Sequence, residues 1–196
     1  MSVASTSSFA SPVTSAEFDV HVKDPVDHLY HCHERIDRSL ITIQNAVVGL
    51  RLAEPILRTE AAGALDYELA TLQLLTRLHE EDEEKTLFPR LKAKVGNANK
   101  ALNDLMAQSE AQHRKYDDLF NQLAGSIKII CAGPGTRADF AMDQLEKLVK
   151  ELADLHGPHM NLEKEHIFGS LRQQFNAAEL SEMQAEMKNR FEGKRK

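Results

Sequence analysis

No apolar stretch approaches the ~18 residues that a membrane-spanning helix needs, so no transmembrane segment is expected. Cysteine is scarce: Cys32 and Cys131 are the two in 196 residues. Two thiols do not make a disulfide framework, and a reducing cytoplasm is the expected setting. Positive charge is not in excess. The net charge of −6 argues against nucleic acid as the main partner, and the basic end Gly193 to Lys196 is too short to change that. Met1 to Ala16 is rich in Ser, Ala and Thr but has neither the basic nor the apolar region of a secretory signal. Residues 1–20 are therefore expected to form a disordered tail. No Gly-rich phosphate loop and no nucleophile–base motif appears, which removes many enzyme classes. Glycine and proline are few and clustered, and nothing reads as a strand.

What remains is a pattern of a few long helices with short turns. The hydrophobic fraction of 42% over 196 residues is enough for one domain with a sizeable core. After Asp24 and Pro25, which suit an N-cap and a first turn, a seam runs Val26, Leu29, His33, Ile36, Leu40, Ile43, Val47, Leu50. Its steps alternate between three and four, as on the buried face of a helix. Pro55 and Gly63 bracket the expected turn. A second helix is expected from about Ala64 to Lys94, closed by Gly96 and Asn97. A third carries the seam Leu102, Met106, Ser109, His113, Tyr116, Phe120, Leu123, Ile127, Ile130 and stops at Gly133-Pro134-Gly135. A fourth runs from near Thr136 to about Phe175, interrupted at Gly157-Pro158. The expectation is an all-α, up-down-up-down four-helix bundle over residues 21–175. A C-terminal amphipathic helix and basic tail, residues 176–196, would pack outside it.

Each of the four helices places a histidine on or beside its apolar seam: His33, His79, His113 and His159. One such histidine is most simply a core residue with a hydrogen-bond partner. Four in register are different. The interval from His33 to His113 equals the interval from His79 to His159. The same shift along the chain takes Asp37 to Asp117, Glu83 to Glu163 and Phe88 to Phe168, as in a duplicated helical hairpin. The sequence midpoints between successive histidines fall at residues 56, 96 and 136, each on or beside a turn signal. Antiparallel neighbours would then hold all four imidazoles at one level.

Glu83 and Glu163 follow His79 and His159 by four residues, about 1.1 turns, so each shares a face with its histidine. Burying four imidazoles and two carboxylates without a cation costs several kcal/mol per unpaired charge. A metal removes that penalty, because neutral imidazole and ionised carboxylate become its ligands. Nitrogen and oxygen donors without thiolate suit iron or manganese, with zinc possible. Six protein ligands are too many for one zinc but fit two metals, with each carboxylate able to bridge.

Three segments, "DPVDHLYHCHERID", "LHEEDEEKTLFPRL" and "HMNLEKEHIFGSL", resemble the hemerythrin HHE cation-binding family. That family carries His-x-x-x-Glu followed by Leu-Phe-Pro on its second and fourth helices. His79, Glu83 and Leu87-Phe88-Pro89 match, as do His159, Glu163 and Ile167-Phe168, with Gly169 in place of proline. The family's first-helix histidine falls on His33, with Cys32 where an aspartate is usual, and its third-helix histidine on His113. The resemblance covers roughly Asp24 to Leu171. It implies two oxo- or hydroxo-bridged iron ions and a protein that binds dioxygen or nitric oxide, for sensing, scavenging or iron and redox homeostasis. One departure counts against a dedicated oxygen carrier. Asp117 stands where carriers have a fifth histidine, leaving roughly two exchangeable positions on two octahedral ions.

Other readings stay open. A di-iron enzyme, such as an oxidase, peroxidase or nitric oxide reductase, would use the open positions. A ferritin-like carboxylate site would use Glu110 with His113 and Glu163 with His166, but would leave His79 and His159 unexplained. Glu80 could reach the site, although the run Glu80 to Glu84 reads most simply as a solvated face. Asp37 and Asp117 could orient a ligand imidazole. The expected state is a monomer or homodimer.

Overall fold

Asp24 begins the first helix as the sequence implies: its Oδ1 accepts from the Asp27 amide, and Pro25 occupies the first helical turn. A computed structural model describes residues 22–193. The expected N-terminal tail and the last three basic residues lie outside the described residues. Helix α1 spans Pro25–Leu52, α2 Pro55–Asp82, α3 Phe88–Val95, α4 Lys100–Cys131, α5 Thr136–Leu162, α6 Phe168–Gln174 and α7 Ala177–Gly193. No strand occurs among the described residues.

Three boundaries differ from the sequence reading. The turn after α1 is shorter than the Pro55–Gly63 bracket. Pro55 starts α2, because proline at the first helical position gives up an amide that had no partner there. Gly63 lies inside the helix, between buried Ala62 and Leu65. Helix α5 also passes through Gly157 and Pro158 without a break. Both residues, and Asp154 whose carbonyl loses its amide partner, face solvent, so water can take that carbonyl. The interruptions come elsewhere. Glu83–Leu87 and Glu163–Ile167 each form a single π-helical turn, in which the Phe88 and Phe168 amides bond five residues back to Glu83 and Glu163. The two turns are related by the same shift as the histidines, so the pseudo-repeat extends to the backbone. Pro89 is not required for the turn, since Gly169 follows the second one. The wider turn lets Leu87 and Phe88, and likewise Ile167 and Phe168, be buried in succession. Gly96 ends α3 with φ 57°, a left-handed conformation that a Cβ would oppose.

The core has two parts. One contains Ile36, Leu40, Ile43, Leu65, Leu72, Phe120, Leu123, Leu145 and Leu152. The other contains Val26, Leu29, Phe88, Leu91, Met106, Phe168 and Leu171. Followed along the chain, the clusters alternate: the second and then the first in α1 and α4, the first and then the second from α2 into α3 and from α5 into α6. On each of these four paths, the histidine noted above lies between the two. The pairs α1 with α2, α2 with α4, α4 with α5 and α1 with α5 pack together, so the four long helices enclose one interior.

Helix α7 lies across α1, α2 and the first π turn. It buries Met183 and Met187. Its Arg190 pairs with buried Asp82 and donates to Thr86 Oγ1 at 2.7 Å, while Glu186 pairs with Arg90. The expected solvated face of Glu80 to Glu84 is thus corrected. Asp82 and Glu83 are buried, and Glu80, Glu81 and Glu84 are half-buried; Arg190 and His28 meet Asp82, Lys85 meets Glu81, and His113 and Arg114 meet Glu84. Asp82 also binds His28 Nε2 at 2.9 Å. Truncating Arg190 leaves a buried carboxylate with one partner instead of two. Arg190→Ala should lower stability by about 3 kcal/mol, the low end for breaking a buried pair, read as a shift of the urea midpoint at constant slope.

Candidate metal centre

The four histidines and two glutamates picked from spacing meet in one buried layer between the two apolar clusters. His33, His79, Glu83 and Glu163 have no measurable exposure, and His113 and His159 have 2% and 1%. His33 comes from α1, His79 from α2, His113 from α4 and His159 from α5. Glu83 and Glu163 are the first residues of the two π turns.

Their polar atoms form two triangles. In the first, His33 Nε2 lies 3.0 Å from His79 Nε2 and 3.0 Å from Glu163 Oε2, with His79 Nε2 to Glu163 Oε2 at 3.3 Å. In the second, Glu163 Oε1 lies 3.2 Å from His159 Nε2 and 3.7 Å from His113 Nε2. Two ligands bound side by side to one ion at about 2.1 Å stand about 3.0–3.4 Å apart, which is the scale of the first triangle; the second is looser, with one side of 3.7 Å. Each triangle is a group that could hold one metal ion. Glu163 contributes one oxygen to each. Glu83 Oε2 lies 3.3 Å from His113 Nε2 and 3.8 Å from His79 Nε2, so it also spans the two groups.

The unsatisfied atoms test the fit of a cation. Both carboxylate oxygens of Glu83 are buried without a hydrogen-bond partner, as are Nδ1 of His33 and of His79. A buried carboxylate with no donor is costly, and no Lys or Arg among the described residues is paired with it. Cations held by the two triangles would offset this charge, so the donor set fits a metal.

The electrostatics show protons as poor substitutes. Burial and the Glu163 charge push the Glu83 carboxyl up to about 7. Glu163 is lowered well below its ordinary value: burial opposes this, but His113, His33 and His79 bind its charged form. Burial and the neighbouring charge on His79 push His33 down to about 4. Burial likewise takes His159 to about 3. For His113 burial is outweighed by Glu163 and Glu83, which raise it to about 10, and His79 is raised in the same way.

Two imidazoles are held from behind. Glu84 Oε1 accepts from His113 Nδ1–H at 2.8 Å, and Gln112 Oε1 accepts from His159 Nδ1–H at 3.0 Å. The partner fixes the tautomer and turns Nε2 to the centre. Asp37 and Asp117, expected in this role, do not perform it: Asp37 binds His156, and Asp117 is exposed. Neither Glu84 nor Gln112 stands out by spacing, because each reaches its histidine around the flank of a helix. Ser109 Oγ, on the α4 seam, donates to Glu163 Oε1 at 2.7 Å. The ferritin-like pairs do not assemble, since Glu110 binds Lys92 and His166 is exposed. Glu80 is half-buried with Oε1 unpartnered, and burial pushes it up to about 8. It lines an open cleft of about 670 Å³ with Arg77, Glu84, His113, Arg114 and Asp117.

Residues 24–171 match the family model for the hemerythrin HHE cation-binding domain. The chain belongs to the hemerythrin HHE cation-binding family. No curated protein matches it. The family match covers every residue of the two triangles, and this hemerythrin domain is a helical bundle with a group of His and Glu side chains able to hold metal. No helix among the described residues is long and apolar enough to cross a membrane.

The signs of the shifts give a prediction. Glu83 keeps its proton up to about pH 7, and His113 up to about 10, so a metal must displace protons to bind. Affinity should therefore rise between pH 6 and pH 8, with protons released on binding. Competition titrations with a chelator at both pH values check this, and Glu83→Gln should flatten the rise.

Proposed function

We propose that this hemerythrin domain is a non-haem di-iron protein that binds dioxygen or nitric oxide, for sensing, scavenging or iron and redox homeostasis. The observation that carries the reading is Glu163, whose two carboxylate oxygens each face a different histidine pair. His33 and His79 would hold one ion, His113 and His159 the other, with Glu163 bridging and Glu83 able to bridge. The donors are four imidazoles and two carboxylates with no thiolate, a set that suits iron or manganese better than copper(I) or a thiolate zinc site. The alternating order in which the helices traverse the two apolar clusters supports an up-down-up-down bundle around the pair. Cys32 and Cys131 are free, in keeping with a reducing compartment.

Bound iron would supply redox chemistry and open positions for a small ligand. The chain's own part is to place neutral nitrogen donors at fixed depth, exclude bulk water with apolar clusters on both sides, and hold the imidazole tautomers. A second reading, a di-iron enzyme of oxidase, peroxidase or nitric oxide reductase type, is favoured by the open cleft. His113 lies on its wall, and Asp117 there leaves the expected fifth-histidine position without an imidazole.

Iron reconstitution followed by metal analysis and optical spectroscopy, with and without oxygen and nitric oxide, tests the reading. About two ions per chain are expected, as in a two-metal site. Glu163→Ala should abolish binding of both, whereas His33→Ala should weaken one site and spare the other. Less than one ion per chain in the wild type would sink the proposal. Peroxide or nitric oxide turnover would favour the enzyme, and reversible binding without turnover would favour the sensor or scavenger.

A further inference from the structure

Tyr116, His156 and Asp37 form a chain of polar groups that the metal layer itself does not use. Tyr116 is 2% exposed, and its ring meets His159 edge-on with centroids 5.2 Å apart. Its hydroxyl lies 3.1 Å from His156 Nδ1, and His156 Nε2 lies 2.7 Å from Asp37 Oδ1. The Asp37 carboxylate can only accept, so Nε2 carries the imidazole proton and Nδ1 accepts from the phenol. The Asp37 side chain is 44% exposed, so the chain runs from the flank of the His159 imidazole to solvent.

A buried tyrosine needs one acceptor, and a backbone carbonyl would do. Here the acceptor is an imidazole backed by a carboxylate. The fold does not demand it. The constant shift that relates the two halves puts Ile36 opposite Tyr116 and Thr76 opposite His156. The same helical positions are thus filled on the other side by an aliphatic residue and by a threonine whose hydroxyl has no partner.

We propose that Tyr116, His156 and Asp37 form a proton-coupled electron relay through which Tyr116 reduces the metal centre after peroxide has oxidised it. The inference rests on the di-iron reading. In the step, one electron leaves the Tyr116 phenol for the centre, whose oxidation level falls by one. The phenolic O–H bond breaks, and its proton moves along the existing hydrogen bond to His156 Nδ1. The products are a neutral tyrosyl radical and a His156 imidazolium whose Nε2–H stays bound to the Asp37 carboxylate. An external one-electron reductant of thiol or ascorbate type returns the electron, and the proton moves back from His156. Asp37 is a positioning residue: it fixes the tautomer that leaves Nδ1 free and stabilises the imidazolium.

The test uses the full chain, loaded with iron and assayed for iron content. It is mixed with hydrogen peroxide, freeze-quenched and examined by electron paramagnetic resonance. A tyrosyl radical is expected in the wild type, in Tyr30→Phe and in Tyr67→Phe. Tyr116→Phe should lose it while keeping wild-type iron content. His156→Gln and Asp37→Asn should lower the radical yield, and Asp37→Asn, at a half-exposed position, keeps the test valid if a core variant does not fold. Iron-loaded wild type without a tyrosyl radical, or full radical yield in Tyr116→Phe or in both relay variants, would overturn the relay and leave the metal centre standing. Failure of the wild type to take up iron would overturn both.

Discussion

A pair of carboxylates buried against four imidazoles, with no Lys or Arg paired to Glu83 among the described residues, is the constraint on which the rest of this molecule depends. Glu163 collects every neighbouring imidazole, while Glu83 is left with two unpartnered oxygens. Protons compensate only in part. Each proton that settles His79 or His113 is matched by an imidazole, His33 or His159, that burial and like charge keep neutral. A layer so arranged is stabilised by cations and penalised without them. The apolar clusters on either side keep the local dielectric low, which raises both the gain and the penalty.

Backbone irregularity serves the same layer. The two π turns begin at the two glutamates. In a regular helix, successive residues point about 100° apart. The extra residue in each turn lets the Glu face the centre while Leu87-Phe88 and Ile167-Phe168 close the core beneath it. Helix α7 braces the first of these turns through Arg190 and Glu186, which both hydrogen-bond Thr86, whereas the second turn packs against α4. The halves that the repeat makes alike are therefore supported differently.

Asymmetry is also where reactivity is expected. On one flank, an open cleft reaches His113 and is walled by Glu80, Glu84 and Asp117. On another, Tyr116 and His156 stand where the first half has Ile36 and Thr76. Symmetric positions hold the proposed metal ligands, and the positions that break the symmetry connect the layer to solvent.

Much of the fold and the six central residues could be read from the sequence because helical order is local. Seam steps of three and four, the i,i+4 spacing of His79 with Glu83, and the constant shift from His33 to His113 and from His79 to His159 fix which side chains share a face and a level. Those features do not depend on how one helix is rotated against another. The remaining facts do. Which carboxylate joins both histidine pairs, why Glu84 and Gln112 rather than Asp117 hold the imidazoles, and why Asp37 turns to His156, 119 residues away, were decided by interhelical rotation and by the π turns. The acidic run from Glu80 to Glu84 reads as solvated because sequence shows its charge and not its partners. Arg190, His28 and His113 reach it only when the chain is packed. The sequence determined that a polar layer would exist at one height of a helical bundle. Tertiary packing alone decided which atom of each side chain faces which, because hydrogen bonds and metal–ligand contacts are fixed over fractions of an ångström that helical periodicity does not specify.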